Sequence, residues 1–155
     1  MASSIDRVKA ALSAAGLSVE VMTMPASTRT AQEAADACGC DVAQIVKSLI
    51  FEGTETGDLV LLLVSGRHQV DMDKAREAAG ESLKRAEIKR VRDETGFAIG
   101  GVAPLGHTAP LRTWIDETLL EFDAVWAAAG APNTVFEVNP AALKEAIGAP
   151  VVKLA

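Results

Sequence analysis

The sequence contains no tyrosine, and aromatic residues make up only 4% of its 155 residues. Its longest strongly apolar run, LVLLLV at residues 59–64, is much shorter than the ~20 residues that span a bilayer. We therefore expect no membrane contact. The two cysteines, Cys38 and Cys40, have C-x-C spacing and no second pair, which does not match a zinc site, and two isolated histidines add no metal pattern.

The negative net charge of the protein restricts the kinds of partner that it can bind. A net charge of −6 argues against a protein that coats DNA, because such proteins need a basic surface. Contact with one nucleic-acid end is still allowed. A hydrophobic content of 49% suits one domain, residues 1–155, with an aliphatic core. The first residues lack the pattern of a signal peptide, so we expect a cytoplasmic protein.

Periodicity and capping residues predict an α/β domain with a mixed sheet surrounded by helices. Thr30 and Glu33 have the spacing of a helix capping box. Asn139 followed by Pro140 is typical of another helix start. The unbroken apolar run at residues 59–64 predicts a strand buried on both faces.

Lys47 is the first candidate for chemistry because it lies in the apolar segment QIVKSLIFE. An unpaired buried ammonium is costly, so this side chain must reach an edge, pair with an acid, or enter a pocket. In a pocket it could hold a phosphate or a carbonyl oxygen. The next residue, Ser48, has no surrounding nucleophile motif.

The segment TGFAIGGVAPLGHTAP, residues 95–110, is the second candidate. Consecutive N–H groups at Gly100 and Gly101 could bind an oxyanion, or the glycines could only form a tight turn. The pattern is not a P-loop. His107 could act as a general base or be an ordinary loop histidine.

A basic cluster is the third candidate. It stands out in an acidic protein and could be a solvated helix face or a contact for a phosphate backbone. Its residues are Lys84, Arg85, Lys89, Arg90 and Arg92.

Two of these segments together resemble the YbaK-type aminoacyl-tRNA editing domains. TAQEAADACGCDVAQIVKSLIF is similar to the capped helix and lysine-bearing strand of that family. The loop is similar to its G-G-[VI]-x-P-x-G motif, here Gly100, Gly101, Val102, Pro104 and Gly106. The order and separation also agree, and the resemblance extends over nearly the whole chain.

The resemblance implies a free-standing deacylase related to the editing insertion of bacterial prolyl-tRNA synthetases. It implies a mixed, strongly curved, barrel-like sheet ringed by helices. The reaction would be hydrolysis of the ester in mischarged tRNA, with tRNA(Pro) as the expected carrier. The expected partners are the tRNA acceptor end and prolyl-tRNA synthetase, which would keep the tRNA nearby; whether the protein docks on the synthetase is open from the sequence. Neither a metal nor an organic cofactor is expected.

The resemblance also implies roles for particular residues. Lys47 would anchor the terminal nucleotide, through its phosphate, and orient the ester. The Gly101 N–H would bind the substrate carbonyl, and water, helped by the substrate 2′-hydroxyl, would attack. The expected substrate-binding residues are Gly100, Pro104, Gly106, His107, Thr30, Met24, Ser48, Ala128 and Val135, and the expected tRNA contacts are Lys84, Arg85, Lys89 and Arg90.

Four positions depart from the branch of the family that removes cysteine. Met24, Thr30, Ala128 and Val135 stand where that branch has Tyr, Phe, Ser and Asp. With fewer polar groups in the pocket, cysteine is a less favoured substrate than alanine, 2-aminobutyrate, serine or threonine. Because one methylene changes binding by only ~1–3 kcal/mol, we expect relaxed specificity.

Two other classes of function remain open from the sequence. The same pocket could belong to a non-catalytic module that binds an acceptor end or a nucleotide. It could also belong to a hydrolase of small activated esters, which the acidic charge mildly favours. The paired motifs favour the deacylase.

Overall fold

The structure is a computed structural model and describes residues 3–98 and 100–155. These residues form five α-helices and eight β-strands. The helices are α1 (Ser4–Ala14), α2 (Ala31–Cys38), α3 (Met72–Ala79), α4 (Ile88–Thr95) and α5 (Pro140–Ile147). The strands are β1 (Val21–Thr23), β2 (Val46–Gly53), β3 (Leu59–Ser65), β4 (Leu83–Arg85), β5 (Arg112–Asp116), β6 (Val125–Ala128), β7 (Thr134–Val138) and β8 (Val151–Val152).

Two helices begin at the capping residues that the sequence indicates. The Thr30 hydroxyl accepts a hydrogen bond from the N–H of Glu33 at 3.0 Å at the start of α2. The Asn139 side chain accepts one from the N–H of Ala142 at 3.0 Å at the start of α5. Such caps satisfy backbone donors that have no partner within the helix. The cap of α2 sets the start of the helix that leads into β2.

The strands divide between two sheets. One has the order β4-β2-β3-β5-β8, in which β2 is antiparallel to β3 and β4, while β3, β5 and β8 run parallel. The other is an antiparallel sheet of order β1-β7-β6. The mixed α/β architecture is confirmed. The single barrel-like sheet is wrong, because in residues 3–98 and 100–155 strand pairing joins the two sheets only at an isolated bridge between Ile45 and Trp126 and closes no barrel.

Strand β3 forms the centre of the core, as its sequence predicts. All of its residues are buried. Leu61 and Leu63 pack in the main cluster with residues of α1, α4 and α5. Leu62 and Val64 pack on the other face, against Ala75 of α3 and the C-terminal segment. Alternate side chains of a strand point to opposite faces, so a strand covered on both sides needs an unbroken apolar sequence.

Candidate functional site

A cleft of about 740 Å³ opens between the two sheets. Its wall is largely aliphatic, and the charged residues that line it are Arg29, Lys47 and Arg85. Small apolar side chains form much of the wall: Ala34, Val91, Val102, Ala127, Ala128 and Val135. A concave apolar site with a few polar groups is the usual form of a small-molecule site.

The cleft forms because part of one edge of β2 has no paired strand among the described residues. The bridge between Ile45 and Trp126 joins β2 to the second sheet at one end. At the other end, β4 pairs with β2 only from Phe51 to Gly53. Within the described part of the chain, no strand pairs with this edge between those points. Residues 46–50 therefore line the cleft along the open edge.

Lys47 lies on this edge near its Ile45 end and is half-buried. Its ammonium donates a hydrogen bond to the backbone carbonyl of His68. Burial lowers the pKa of the Lys47 ammonium, and the nearby carboxylate of Asp116 opposes that effect. The sequence left open whether this lysine reaches an edge, pairs with an acid, or enters a pocket. The structure places it in the cleft wall with a carbonyl partner.

Ser48 also lines the cleft, although neighbouring residues of a strand point to opposite faces. Val46 and Ile50, which share the face of Ser48, pack in the main core cluster. Both faces contribute because the cleft extends around the edge of β2. The Ser48 hydroxyl is buried and has no hydrogen-bond partner among the residues that the structure describes. A buried unpaired hydroxyl costs free energy unless a ligand supplies its partner.

The structure brings together only some of the residues that the sequence proposed for the substrate. Thr30, Ser48, Ala128, Val135 and Gly100 line the cleft together with Lys47. Gly101, Pro104, Gly106, His107 and Met24 are not part of its lining. The backbone N–H of Met24 instead donates to the Asn133 carbonyl at 2.7 Å, next to the β1–β7 pairing.

The backbone of the glycine loop is partly used for internal contacts. The N–H of Gly101, the expected oxyanion donor, donates to the Ala98 carbonyl at 3.0 Å. A Cβ added at Gly101 would lie 3.1 Å from backbone atoms of Ala131, which is a tight contact, so the packing favours glycine there. Gly100, in contrast, is exposed, has a φ of +96° and lines the cleft. A role for Gly101 as a donor would require the turn to open.

His107 makes its contacts within the segment of residues 95–110 itself. Its Nε2 donates to the Ala103 carbonyl at 2.8 Å, and its ring packs edge-on against Phe97 with centroids 5.0 Å apart. Burial lowers the pKa of His107 to about 4, so the ring is neutral near pH 7. These contacts give His107 a packing role, and the expected substrate contact would also require the loop to move.

The basic cluster separates into paired and cleft-facing residues. Arg90 forms ion pairs with Glu52 and Glu94. The Lys84 ammonium lies 3.0 Å from a Glu52 carboxylate oxygen. Arg85 lines the cleft, and Lys89 is exposed on α4. Glu52 thus partly neutralises the two basic residues that it contacts, so Arg85 is the best placed of the cluster to meet an anionic ligand in the cleft.

Sequence reasoning missed many residues of the cleft wall, of which three are notable for charge or size. Arg29 lies beside the Thr30 cap, Ile88 lies at the start of α4, and Trp126 lies at the bridge between the sheets. Ile88 is unusual because 63% of this apolar residue is exposed. No motif marks them, although an isolated tryptophan in an alanine-rich strand is a signal that could have been followed.

The described residues contain neither a membrane-spanning helix nor a cluster of metal ligands. No helix in residues 3–98 and 100–155 has the length and apolar character of a membrane span. Over the same residues, no group of three or more His, Cys, Asp or Glu side chains is arranged to hold a metal ion.

The whole fold matches a crystal structure named "putative trans-editing enzyme for prolyl tRNA synthetase". The TM-score is 0.91 and the sequences are 47% identical over 99% of this chain and 98% of that one. The class that fold and cleft define is therefore a mixed α/β editing-type domain. The chain belongs to the family of the aminoacyl-tRNA editing domain, whose model matches residues 25–146. The resemblance seen in the sequence is confirmed.

Two curated relatives match most of this chain, and the name of one of them refers to tRNA deacylation. The protein YwhH of Bacillus subtilis (strain 168) is 31% identical over 126 residues, which cover 81% of this chain and 80% of YwhH. The protein named "Putative Cys-tRNA(Pro)/Cys-tRNA(Cys) deacylase EbsC", from Enterococcus faecalis (strain ATCC 700802 / V583), is 27% identical over 115 residues. That match covers 74% of this chain and 70% of EbsC.

Proposed function

We propose that this protein is a trans-editing deacylase that hydrolyses the ester of tRNA(Pro) carrying a small wrong amino acid. The observation that carries the proposal is the position of Lys47, which lines a cleft walled by small aliphatic side chains while its ammonium donates to the His68 carbonyl. A cation next to an apolar recess suits a ligand with a phosphate at one end and a small acyl group at the other.

The acyl group is placed against the second sheet. Ala128 and Val135 are paired in register across β6 and β7, and both line the cleft. Their side chains offer no hydrogen bond, so selection there is by size. The buried hydroxyl of Ser48 is the nearest candidate for a polar contact with the acyl group. This wall favours alanine, 2-aminobutyrate, serine or threonine over larger side chains.

The nucleotide is placed at the basic side of the cleft. Lys47 would bind the phosphate of the terminal nucleotide or orient its ester. Its ammonium has three N–H donors, of which one is directed at the His68 carbonyl. Arg29 and Arg85 line the same cleft and add positive charge. The protein as a whole is acidic, so these local cations carry the attraction for a phosphate.

The chemical step needs little from the protein beyond positioning and charge stabilisation. Water adds to the ester carbonyl carbon and passes a proton to the solvent or through the substrate 2′-hydroxyl. The bond between the acyl carbon and the ribose 3′-oxygen then breaks, and that oxygen takes up a proton. The products are the free amino acid and uncharged tRNA. The Lys47 ammonium stabilises the developing negative charge, and the Gly101 N–H joins it when the loop turn opens.

The cellular setting follows from this reaction. A deacylase that corrects errors of prolyl-tRNA synthetase must reach charged tRNA before the ribosome does. We place the protein in the cytoplasm, with the synthetase as a partner that keeps mischarged tRNA nearby. Such proximity raises the effective concentration of tRNA and reduces the need for an extended basic surface.

A panel of charged tRNAs tests the proposal directly. tRNA(Pro) is charged separately with alanine, 2-aminobutyrate, serine, threonine, cysteine and proline, and the release of each amino acid is followed. We expect rapid release of one or two of the small wrong amino acids, with proline retained and the Lys47→Ala variant inactive. Release at the rate of that variant for all six would contradict the proposal for tRNA(Pro). Binding without release would instead identify a binding module.

Enlarging the wall at Ala128 should change the preference for substrate size. In Ala128→Leu, the added carbons occupy the recess next to Val135. We expect hydrolysis of threonyl or 2-aminobutyryl esters to fall at least ~10-fold more than that of alanyl ester, since one methylene is worth ~1–3 kcal/mol. The measurement is the ratio of kcat/KM values. Ala146→Leu, at an exposed position of α5, is the matched control. Equal losses for all substrates in Ala128→Leu would refute the placement of the acyl group.

A further inference from the structure

The position of the Lys47 ammonium is set from outside the cleft. Its hydrogen-bond acceptor is the backbone carbonyl of His68, in the turn that follows β3. The N–H of His68 donates to the Ser65 carbonyl at 2.9 Å, which ties this turn to the end of the strand. A lysine side chain otherwise has several rotatable bonds and loses much conformational freedom when it is held in one place.

The buried carboxylate of Asp116 holds the backbone turn at His68 in place. The ring Nδ1 of His68 lies 3.1 Å from Oδ2 of Asp116, at the end of β5. The Asp116 side chain is only 1% exposed, whereas that of His68 is 28% exposed. The carboxylate can only accept hydrogen bonds, so Nδ1 carries the proton and donates. The residues are 48 positions apart in the sequence, and the parallel pairing of β3 with β5 brings them together.

Asp116 is itself fixed by backbone donors. The N–H of Ser65 donates to Oδ2 at 3.2 Å, and the N–H of Thr118 donates to Oδ1 at 3.1 Å. These bonds join the ends of β3 and β5 and leave the carboxylate little freedom. A buried acid with this many partners provides a rigid anchor for a half-exposed histidine.

We propose that Asp116 and His68 are positioning residues that hold the Lys47 ammonium in place for deacylation. Asp116 orients the His68 ring, the ring orients its own backbone carbonyl, and that carbonyl receives the ammonium. None of the three groups needs to touch the acyl group. The inference rests on the proposed function, since it assigns to Lys47 a task that depends on its position. Preorganised charge is worth far more in catalysis than a mobile charge.

The effect of Asp116 on Lys47 supports this arrangement. Burial lowers the pKa of the ammonium, and the charge of Asp116 acts in the opposite direction. The Asp116 carboxylate is therefore close enough to affect the pKa of the Lys47 ammonium. A simple capping role at the turn after β5 would involve the N–H of Thr118 but would not require the contact with His68.

A matched pair of variants at His68 tests the proposal. In His68→Asn, the side-chain amide can occupy the place of Nδ1 and donate to Asp116. In His68→Gln, the amide lies one bond further out, in the place of Nε2, and misses the carboxylate. Both are small polar changes at a partly exposed residue, so a purely structural effect would lower the melting temperature of both alike.

We expect His68→Asn to keep kcat within about threefold and His68→Gln to lose about tenfold or more in kcat with little change in KM, as for a loss of orientation. Equal activity of the two variants, whether both high or both low, would overturn the positioning role of His68 and Asp116. If His68→Gln does not fold, Asp116→Asn replaces it, with the same loss expected. Unchanged kcat in a folded Asp116→Asn would also overturn the proposal.

A second readout does not depend on deacylation. The two ε-protons of a fixed lysine have different NMR shifts, and those of a mobile lysine average to one. The Lys47 signal is assigned by its loss in Lys47→Arg. We expect separate shifts in the wild type and in His68→Asn, and averaged shifts in His68→Gln. If the wild type hydrolyses no charged tRNA, the proposed function fails on its own. Identical spectra in all three proteins would overturn the positioning role.

Discussion

Replacing Lys47 by alanine is expected to lower the rate of deacylation by at least ~100-fold, the usual loss when one preorganised charge is removed from an active site. The reason is that Lys47 lines the cleft on the open edge of β2, where the proposed function puts the phosphate and the ester of the substrate. The measurement is the single-turnover rate of amino-acid release from the best substrate of the panel.

The controls for Lys47 separate charge from geometry and from folding. Lys47→Arg keeps the charge but spreads it over a planar group, so we expect only partial recovery. Lys9→Ala removes an exposed lysine of α1 and should leave the rate unchanged. Lys47→Ala removes the bond to the His68 carbonyl as well, and the melting temperature shows whether that destabilises the fold. A folded Lys47→Ala protein with the wild-type rate would refute the catalytic assignment.

Replacing Phe97 by alanine is expected to lower the free energy of unfolding by about 3–5 kcal/mol, the range for removing a buried aromatic ring. Phe97 is fully buried in the main core cluster. Its ring contacts the ring of His107, and the guanidinium carbon of Arg7 lies 5.2 Å from its centroid. The cavity left behind would remove the support of the loop that reaches the cleft at Gly100. Urea denaturation at constant pH measures the loss.

A smaller change at the same position provides the comparison. Phe97→Leu keeps most of the apolar volume and should cost less than Phe97→Ala. We also expect deacylation to fall in Phe97→Ala at temperatures where the protein is still folded, because the glycine loop loses its anchor. A loss below ~1 kcal/mol for Phe97→Ala would mean that the loop is supported by other contacts.

Local sequence rules predicted most of the elements. The helix starts at Thr30 and Asn139 follow from side chains that cap the backbone nearest to them. The buried strand at residues 59–64 follows from an apolar run that no exposed element could carry. The two motifs of the family also lie within short segments, so the assignment to the editing domains needed no three-dimensional information.

The composition of the candidate site was predictable only in part. Five of the proposed site residues, Lys47, Ser48, Thr30, Ala128 and Val135, line one cleft, and their roles stay predictions. The glycine motif, however, serves two purposes that sequence cannot separate, because Gly100 faces the cleft while Gly101 is held by Ala98 and packed against Ala131. Which of two adjacent residues faces a ligand depends on a single turn.

The basic cluster shows the same limit. Its residues are adjacent in sequence and have the same charge, so no local rule distinguishes them. The pairing of β4 with β2 brings Lys84 to Glu52, the position of α4 brings Arg90 to the same carboxylate, and Arg85 lies at the cleft. The acid that neutralises part of the cluster comes from a different strand.

The sequence alone determined the aliphatic core, the helix starts, the central strand and the family, because each depends on composition or on residues close together in the chain. The tertiary structure decided that the strands form two sheets, bridged at Ile45 and Trp126, and that a cleft opens between them. It also decided that Lys47 is held through His68 and Asp116. These features depend on contacts between distant segments, whose free energies arise only when the strands pair and pack.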